Sequence, residues 1–181
     1  MPNIDPILLI AHIEYASWAL KRTLECIDKL SPEAITHAPG NSCRSILATL
    51  RHLYETDWYY FSHLTGGTAK LEFHEGAVRI PGCKAPDEYE ALKQEHVRLR
   101  RIILDWAREN IPAQKDTVLH GWGTWSVWQV VMQMANHTTH HLGQISTLLR
   151  QAGYAPTQSE WTDLILYYVE KFPAASACAE V

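Results

Sequence analysis

The sequence predicts an all-α fold, a bundle of four long helices with a short fifth helix at the C-terminal end. Three observations carry that prediction. Apolar residues recur with helical spacing along most of the chain. Start and stop signals bracket each periodic stretch. No convincing run of alternating strand residues appears. The 181 residues are 46% hydrophobic, with seven Trp and eight Tyr, enough for a sizeable core. No repeat, linker or low-complexity stretch divides them, so residues 1–181 read as a single domain.

Asp5-Pro6 supplies an N-cap followed by Pro at the first helical position, opening a helix to about Leu30. Its inward stripe is Leu8, Leu9, His12, Ala16, Ala19, Thr23, Ile27 and Leu30, and Ser31-Pro32 ends it. A second helix is expected from Asn41 or Ser42 to Leu64, closed by Gly66-Gly67, with Ile46, Leu50, Leu53, Tyr60 and Leu64 on its apolar face. Residues 66–85 hold Gly66-Gly67, Gly76 and Pro81-Gly82 and read as an irregular excursion. Pro86-Asp87 starts a third helix to about Asn110, stopped by Pro112. The stretch from Lys115 to Trp125 reads as β-like or loop. Ser126 and Gln129 fit a capping box that launches a fourth long helix to Gln151, ending at Gly153. Thr157 to Glu160 offers another box for a last helix reaching Lys171.

Composition excludes several functions. A net charge of −4 lacks the basic excess of a nucleic-acid binder. No apolar run approaches the roughly 18 residues of a membrane span. Residues Met1 to Pro6 lack the pattern of a signal peptide, and Cys26, Cys43, Cys83 and Cys178 form no C-x-x-C pair. Scattered thiols suit a reducing compartment, so a cytoplasmic location is expected. There is no E-x-x-H, H-E-x-x-H, P-loop, G-x-G-x-x-G or G-x-S-x-G.

Ten His in a chain with only nine Gly direct attention to imidazole chemistry. On a helical wheel, His141 lies about 40° from His137, and Val130, Met134, Gln144 and Leu148 fall within about 60° of it. Two imidazoles one turn apart, on the stripe that should face the core beside Gln133 and Gln144, can reach a single ion. The same spacing also suits two structural histidines, and spacing alone leaves both readings open. A third ligand must come from another helix, and His52 is the best candidate. It borders the second helix's apolar face, in a stripe with Ser45, Thr56, Tyr59 and His63. His63 lies about three turns from His52, so one ion can use one of them but not both. His12 is a weaker candidate, read first as a histidine bonded to a carbonyl or a Tyr. His37, His74, His96 and His120 read as loop or surface residues. Asp57, near the centre of the second helix's apolar face, either orients a ligand His or reaches a Tyr or Trp. Trp122 and Trp125 either cap a pocket or anchor their loop.

Three blocks of sequence, Glu14-Tyr15-Ala16-Ser17-Trp18-Ala19, Leu30 to Glu33 leading to Ser45 through Leu53, and Asn136-His137 through Gln144-Ile145 with Leu148 to Gln151 and Gly153, resemble the DinB/YfiT-like superfamily of small metalloenzymes. The resemblance implies an up-down-down-up four-helix bundle that pairs into homodimers. Carried over by motif, the family's metal triad falls on His52, His137 and His141. Many relatives carry Arg after the second motif His, where this chain has Leu142. Relatives that use low-molecular-weight thiols imply a thiol-dependent S-transferase or isomerase acting on a small molecule. A divalent ion is expected as cofactor, zinc or nickel first and iron as well, with a thiol as cosubstrate. The alternatives are a metal-dependent hydrolase and a non-catalytic, stress-related metal-binding protein, the latter with His63, His140 or Asp57 as a fourth ligand.

Overall fold

The computed structural model describes residues 4–39, 44–67, 72–74, 77–79, 83, 85–120, 124–155, 157 and 162–171. Among them are six helices and two small hairpins.

The first helix, α1 (Pro6–Ile27), starts as expected: the Asp5 side chain accepts from the Ile7 N–H at 2.9 Å, with Pro6 following. Its buried stripe is rotated slightly from the predicted one, running through Leu9, Ile13, Ala16, Leu20, Leu24 and Ile27. Leu8 therefore points outward, 53% exposed, and the helix ends before Leu30. A short helix, α2 (Pro32–Thr36), follows where only a stop was expected, because Ser31 caps the N–H of Ala34. The second long helix, α3 (Ile46–Leu64), begins later than expected: Ser45 is its N-cap and accepts from Ala48 N–H. Residues 41–43 lie outside the described residues.

Within the 66–85 excursion, β1 (Glu72–His74) pairs antiparallel with β2 (Ala77–Arg79). The third long helix, α4 (Tyr89–Gln114), starts after Pro86-Asp87 and continues through Pro112 rather than stopping before it. Proline in the last turn removes only one ladder bond. Fully buried Ile111 holds this end in the core, and its carbonyl still accepts from Lys115 N–H at 3.0 Å. The glycine-rich stretch after it contains a second hairpin, β3 (Val118–His120) with β4 (Thr124–Ser126). Three-residue strands are too short for a period-two signal to stand out. Ser126 ends β4 and caps α5 (Val127–Gln151), and the predicted box holds: Gln129 Oε1 accepts from the Ser126 N–H at 2.8 Å. A last helix, α6 (Leu164–Lys171), lies on α1 through Tyr167. The box expected at Thr157 to Glu160 and the aromatic Trp122 lie outside the described residues.

Contacts between helices fix their directions. His52, Thr56 and Tyr60 of α3 meet His141, His137 and Gln133 of α5 in turn, so these helices are antiparallel. Leu50, Asp57 and Phe61 of α3 meet His96, Arg100 and Trp106 of α4, so these two are parallel. Asp28 and Glu14 of α1 meet Lys93 and Arg108 of α4, an antiparallel pair. The order is therefore up-down-down-up. Leu9, Ile13, Leu50, Leu53, Leu92, Ile103, Val131 and Ile145 fill the centre, all at most 2% exposed.

Inside this core sits a polar cluster. Arg100 Nη2 lies 2.5 Å from Asp57 Oδ2 and donates to Thr138 Oγ1 at 2.5 Å, tying α3, α4 and α5 together. Asp57 is thus matched by an arginine, a partner the sequence reading did not find. His96 is a second correction. It is fully buried, and its Nε2 donates to the Leu50 carbonyl at 2.9 Å, rather than lying at the surface.

Candidate metal centre

The antiparallel packing of α3 on α5 brings His52, His137 and His141 together. Each offers one ring nitrogen, and these nitrogens all lie within 4.8 Å of one another, so the three can hold a metal ion. The two from α5 are the nearer pair, with Nε2 atoms 3.1 Å apart. Ring centroids of His52 lie 5.3 Å from His137 and 4.8 Å from His141. All three are half-buried, at the edge of the apolar stripe rather than in its centre.

Neighbouring groups set the orientation of two of the rings. His141 Nδ1 donates to Gln144 Oε1 at 2.8 Å, which leaves Nε2 with its lone pair toward the shared position. The Gln144 amide in turn donates to His140 Nε2 at 3.0 Å, so one side chain spans two histidines. His137 Nδ1 faces Thr56 Oγ1 at 3.4 Å. The Thr56 hydroxyl gives its own proton to the His52 carbonyl at 2.7 Å, so toward His137 it accepts.

Burial holds the three imidazoles in the neutral form a metal requires. His52 is pushed down to about 4 by desolvation, with His141 and Arg44 adding to the effect. Desolvation and the charges of His141 and His52 push His137 down to about 3. His141 is lowered by desolvation too, opposed by its bond to Gln144.

A cleft of about 450 Å³ opens beside the histidines, lined by His52, His141, Gln144 and Leu148, with Arg44, Thr49 and Thr147. Neither Leu142 nor Tyr59 reaches it. Leu142 is 5% exposed in the core, so the position where relatives carry Arg faces away from the cleft here. Tyr59 is buried and packs on His63, ring centroids 4.6 Å apart.

The remaining polar candidates have other partners. His12 Nδ1 donates to the Leu8 carbonyl at 2.7 Å. His63 stands apart from the three-histidine group, His140 takes the Gln144 bond, and Asp57 faces Arg100. Gln133 is exposed and donates to Tyr60 Oη at 3.4 Å. His37 and Trp125 are exposed. The side chains of His74 and His120 lie outside what is described. Sequence reasoning missed Arg44, which it counted within the second helix but which precedes α3. It placed Thr56 on the right stripe but gave it no task.

Comparison with known proteins adds an independent line. The family model described as DinB family matches residues 6–168. The chain is also similar to Protein DinB of Bacillus subtilis (strain 168), 30% identical over 155 residues that cover 82% of this chain and 88% of the relative.

Proposed function

Because the chain belongs to the DinB family, we propose that it is a metal-dependent enzyme in which His52, His137 and His141 hold one divalent ion and a low-molecular-weight thiol is transferred to a small electrophile. The observation that carries this reading is the meeting of three neutral imidazoles, two of which, His52 and His141, line an open cleft. Three protein ligands with room for a fourth is the pattern of catalytic rather than structural sites. The fourth-ligand candidates His63, His140 and Asp57 have other neighbours, which disfavours a closed, non-catalytic site.

A divalent ion with such ligands lowers the pKa of a coordinated thiol or water. The chain's own contribution is orientation. Gln144 keeps the His141 proton on Nδ1, and Thr56 accepts from Nδ1 of His137. Leu148 gives the cleft an apolar wall suited to the carbon skeleton of a small substrate. In the transfer, the thiol gives its proton to solvent, a new S–C bond forms, and the leaving group departs with the electron pair of the bond that breaks. Zinc and nickel are the first candidates for the ion, with iron also compatible with imidazole donors. A homodimer working in the cytoplasm completes the proposal.

Elemental analysis of purified protein, alongside His52→Ala, His137→Ala and His141→Ala, tests the site. One equivalent of divalent metal is expected, lost in each variant. Thiol conjugation of a model electrophile should then cease on chelation. Turnover that needs metal but no thiol would instead establish a hydrolase using the same centre.

A further inference from the structure

We infer that the cleft beside the three histidines is a carboxylate subsite built on Arg44, so that the thiol it accepts carries an anionic group. This rests on the proposed metal centre and names the substrate class it takes.

The argument begins with the charges of the lining. Among the described residues that line the cleft, Arg44 is the one charged side chain, and no carboxylate accompanies it. Elsewhere in the protein, Arg22, Arg51, Arg98, Arg100 and Arg108 each meet a carboxylate. Arg44 has no hydrogen bond or ion pair among the described residues. Glu55, half-buried on α3, feels its charge but does not line the cleft. A guanidinium with no hydrogen-bonded or ion-paired carboxylate among the described residues, in the lining of a small cleft, sets up a local attraction for anions.

The donors of the lining point the same way. Thr49 gives its hydroxyl proton to the Ser45 carbonyl at 2.9 Å, and Thr147 gives its own to Gly143 at 3.2 Å. The Gln144 amide donates to His140, and Nδ1 of His141 donates to Gln144. These polar groups already use protons that an anion would need. Beyond the second N–H of the Gln144 amide and a ring N–H of His52, the donors left over are those of Arg44, whose planar fork matches a carboxylate with two parallel bonds. A single guanidinium balances a single negative charge, which favours a carboxylate over a phosphate dianion. Since Arg44 shares the cleft with His52 and His141, a ligand of modest length can span both.

The test uses the cobalt-loaded protein with two thiols of the same shape, 3-mercaptopropionate and its neutral amide, 3-mercaptopropionamide. Affinity is read by calorimetry, and contact with the metal by the sulfur-to-cobalt absorption band. Wild type is expected to prefer the acid by about tenfold or more, the usual size of a charge-assisted bond. Arg44→Gln should abolish the preference, weakening the acid far more than the amide, and Arg44→Lys should keep part of it. Equal affinities in wild type, with the cobalt band present, overturn the carboxylate subsite and leave the metal centre standing. Arg44-dependent binding of the acid without a cobalt band overturns the thiol–metal reading and spares the subsite. No binding of either thiol overturns both.

Discussion

Surroundings, not number, divide the histidines of this chain. His52, His137 and His141 converge at a cleft, whereas His96 is sealed between α3 and α4 with the Leu50 carbonyl as partner. Burial lowers the His96 pKa from 6.5 to about 3, so the unfolded chain binds its proton across an interval in which the folded protein does not. Its contribution to stability is therefore complete above about pH 6.5 and shrinks as pH falls toward 3. At pH 5 the loss attributable to this residue should be about 2 kcal/mol. Denaturant unfolding of wild type and His96→Gln at pH 7 and pH 5 checks it. The glutamine can still donate to Leu50 but does not titrate, so the gap between the two proteins should close by that amount on acidification. An unchanged gap would rule out the buried neutral imidazole. His137 and His141 were legible in the sequence because one helix carries both, and His52 because its helix face could be drawn. His96 was not, since its burial depends on which helix lies across from it.

Periodicity located all four long helices, and at the level of elements the errors fall mainly at ends and in short pieces. The α1 stripe is rotated enough to expose Leu8, because Ile13 and Leu20 lead the packing. Pro112 did not stop α4, since a buried Ile111 outweighs one missing ladder bond. The hairpins and α2 were too short to register as patterns. The link between Asp57 and Arg100 was also invisible, as a wheel shows which face a charge occupies and not what stands opposite. That link joins α3 to α4 with both side chains buried, 1% and 6% exposed. Removing one partner strands the other in the core, so Asp57→Leu or Arg100→Leu should each cost about 3–5 kcal/mol. The double variant removes both charges and should be more stable than either single one. A double-mutant cycle by chemical denaturation decides the matter. Additive losses would show that the two charges do not depend on each other.

Across the whole molecule, the candidate site belongs to α3 and α5, while α1 and α6 build another flank. Tyr167 of α6 is 4% exposed, rests edge-on against Tyr15 and Trp18, and donates to Glu14 Oε2 at 3.1 Å. Tyr167→Ala should cost about 3 kcal/mol by thermal or denaturant unfolding, with the metal content untouched; loss of metal in that variant would show that the two flanks are coupled. The agreement in direction between α3 and α4 has a consequence for chain length. After Leu64 the backbone has to retrace a 19-residue helix, a distance of about 28 Å, because α4 begins where Asp87 meets Arg51 near the start of α3. About nine extended residues suffice for that return, and residues 65–88 provide many more. The surplus is what gives β1 and β2 their room, so the hairpin can be trimmed without disturbing the bundle. Below the nine-residue minimum the return becomes impossible. The fourth helix would then have to reverse its direction or come from a second copy of the chain.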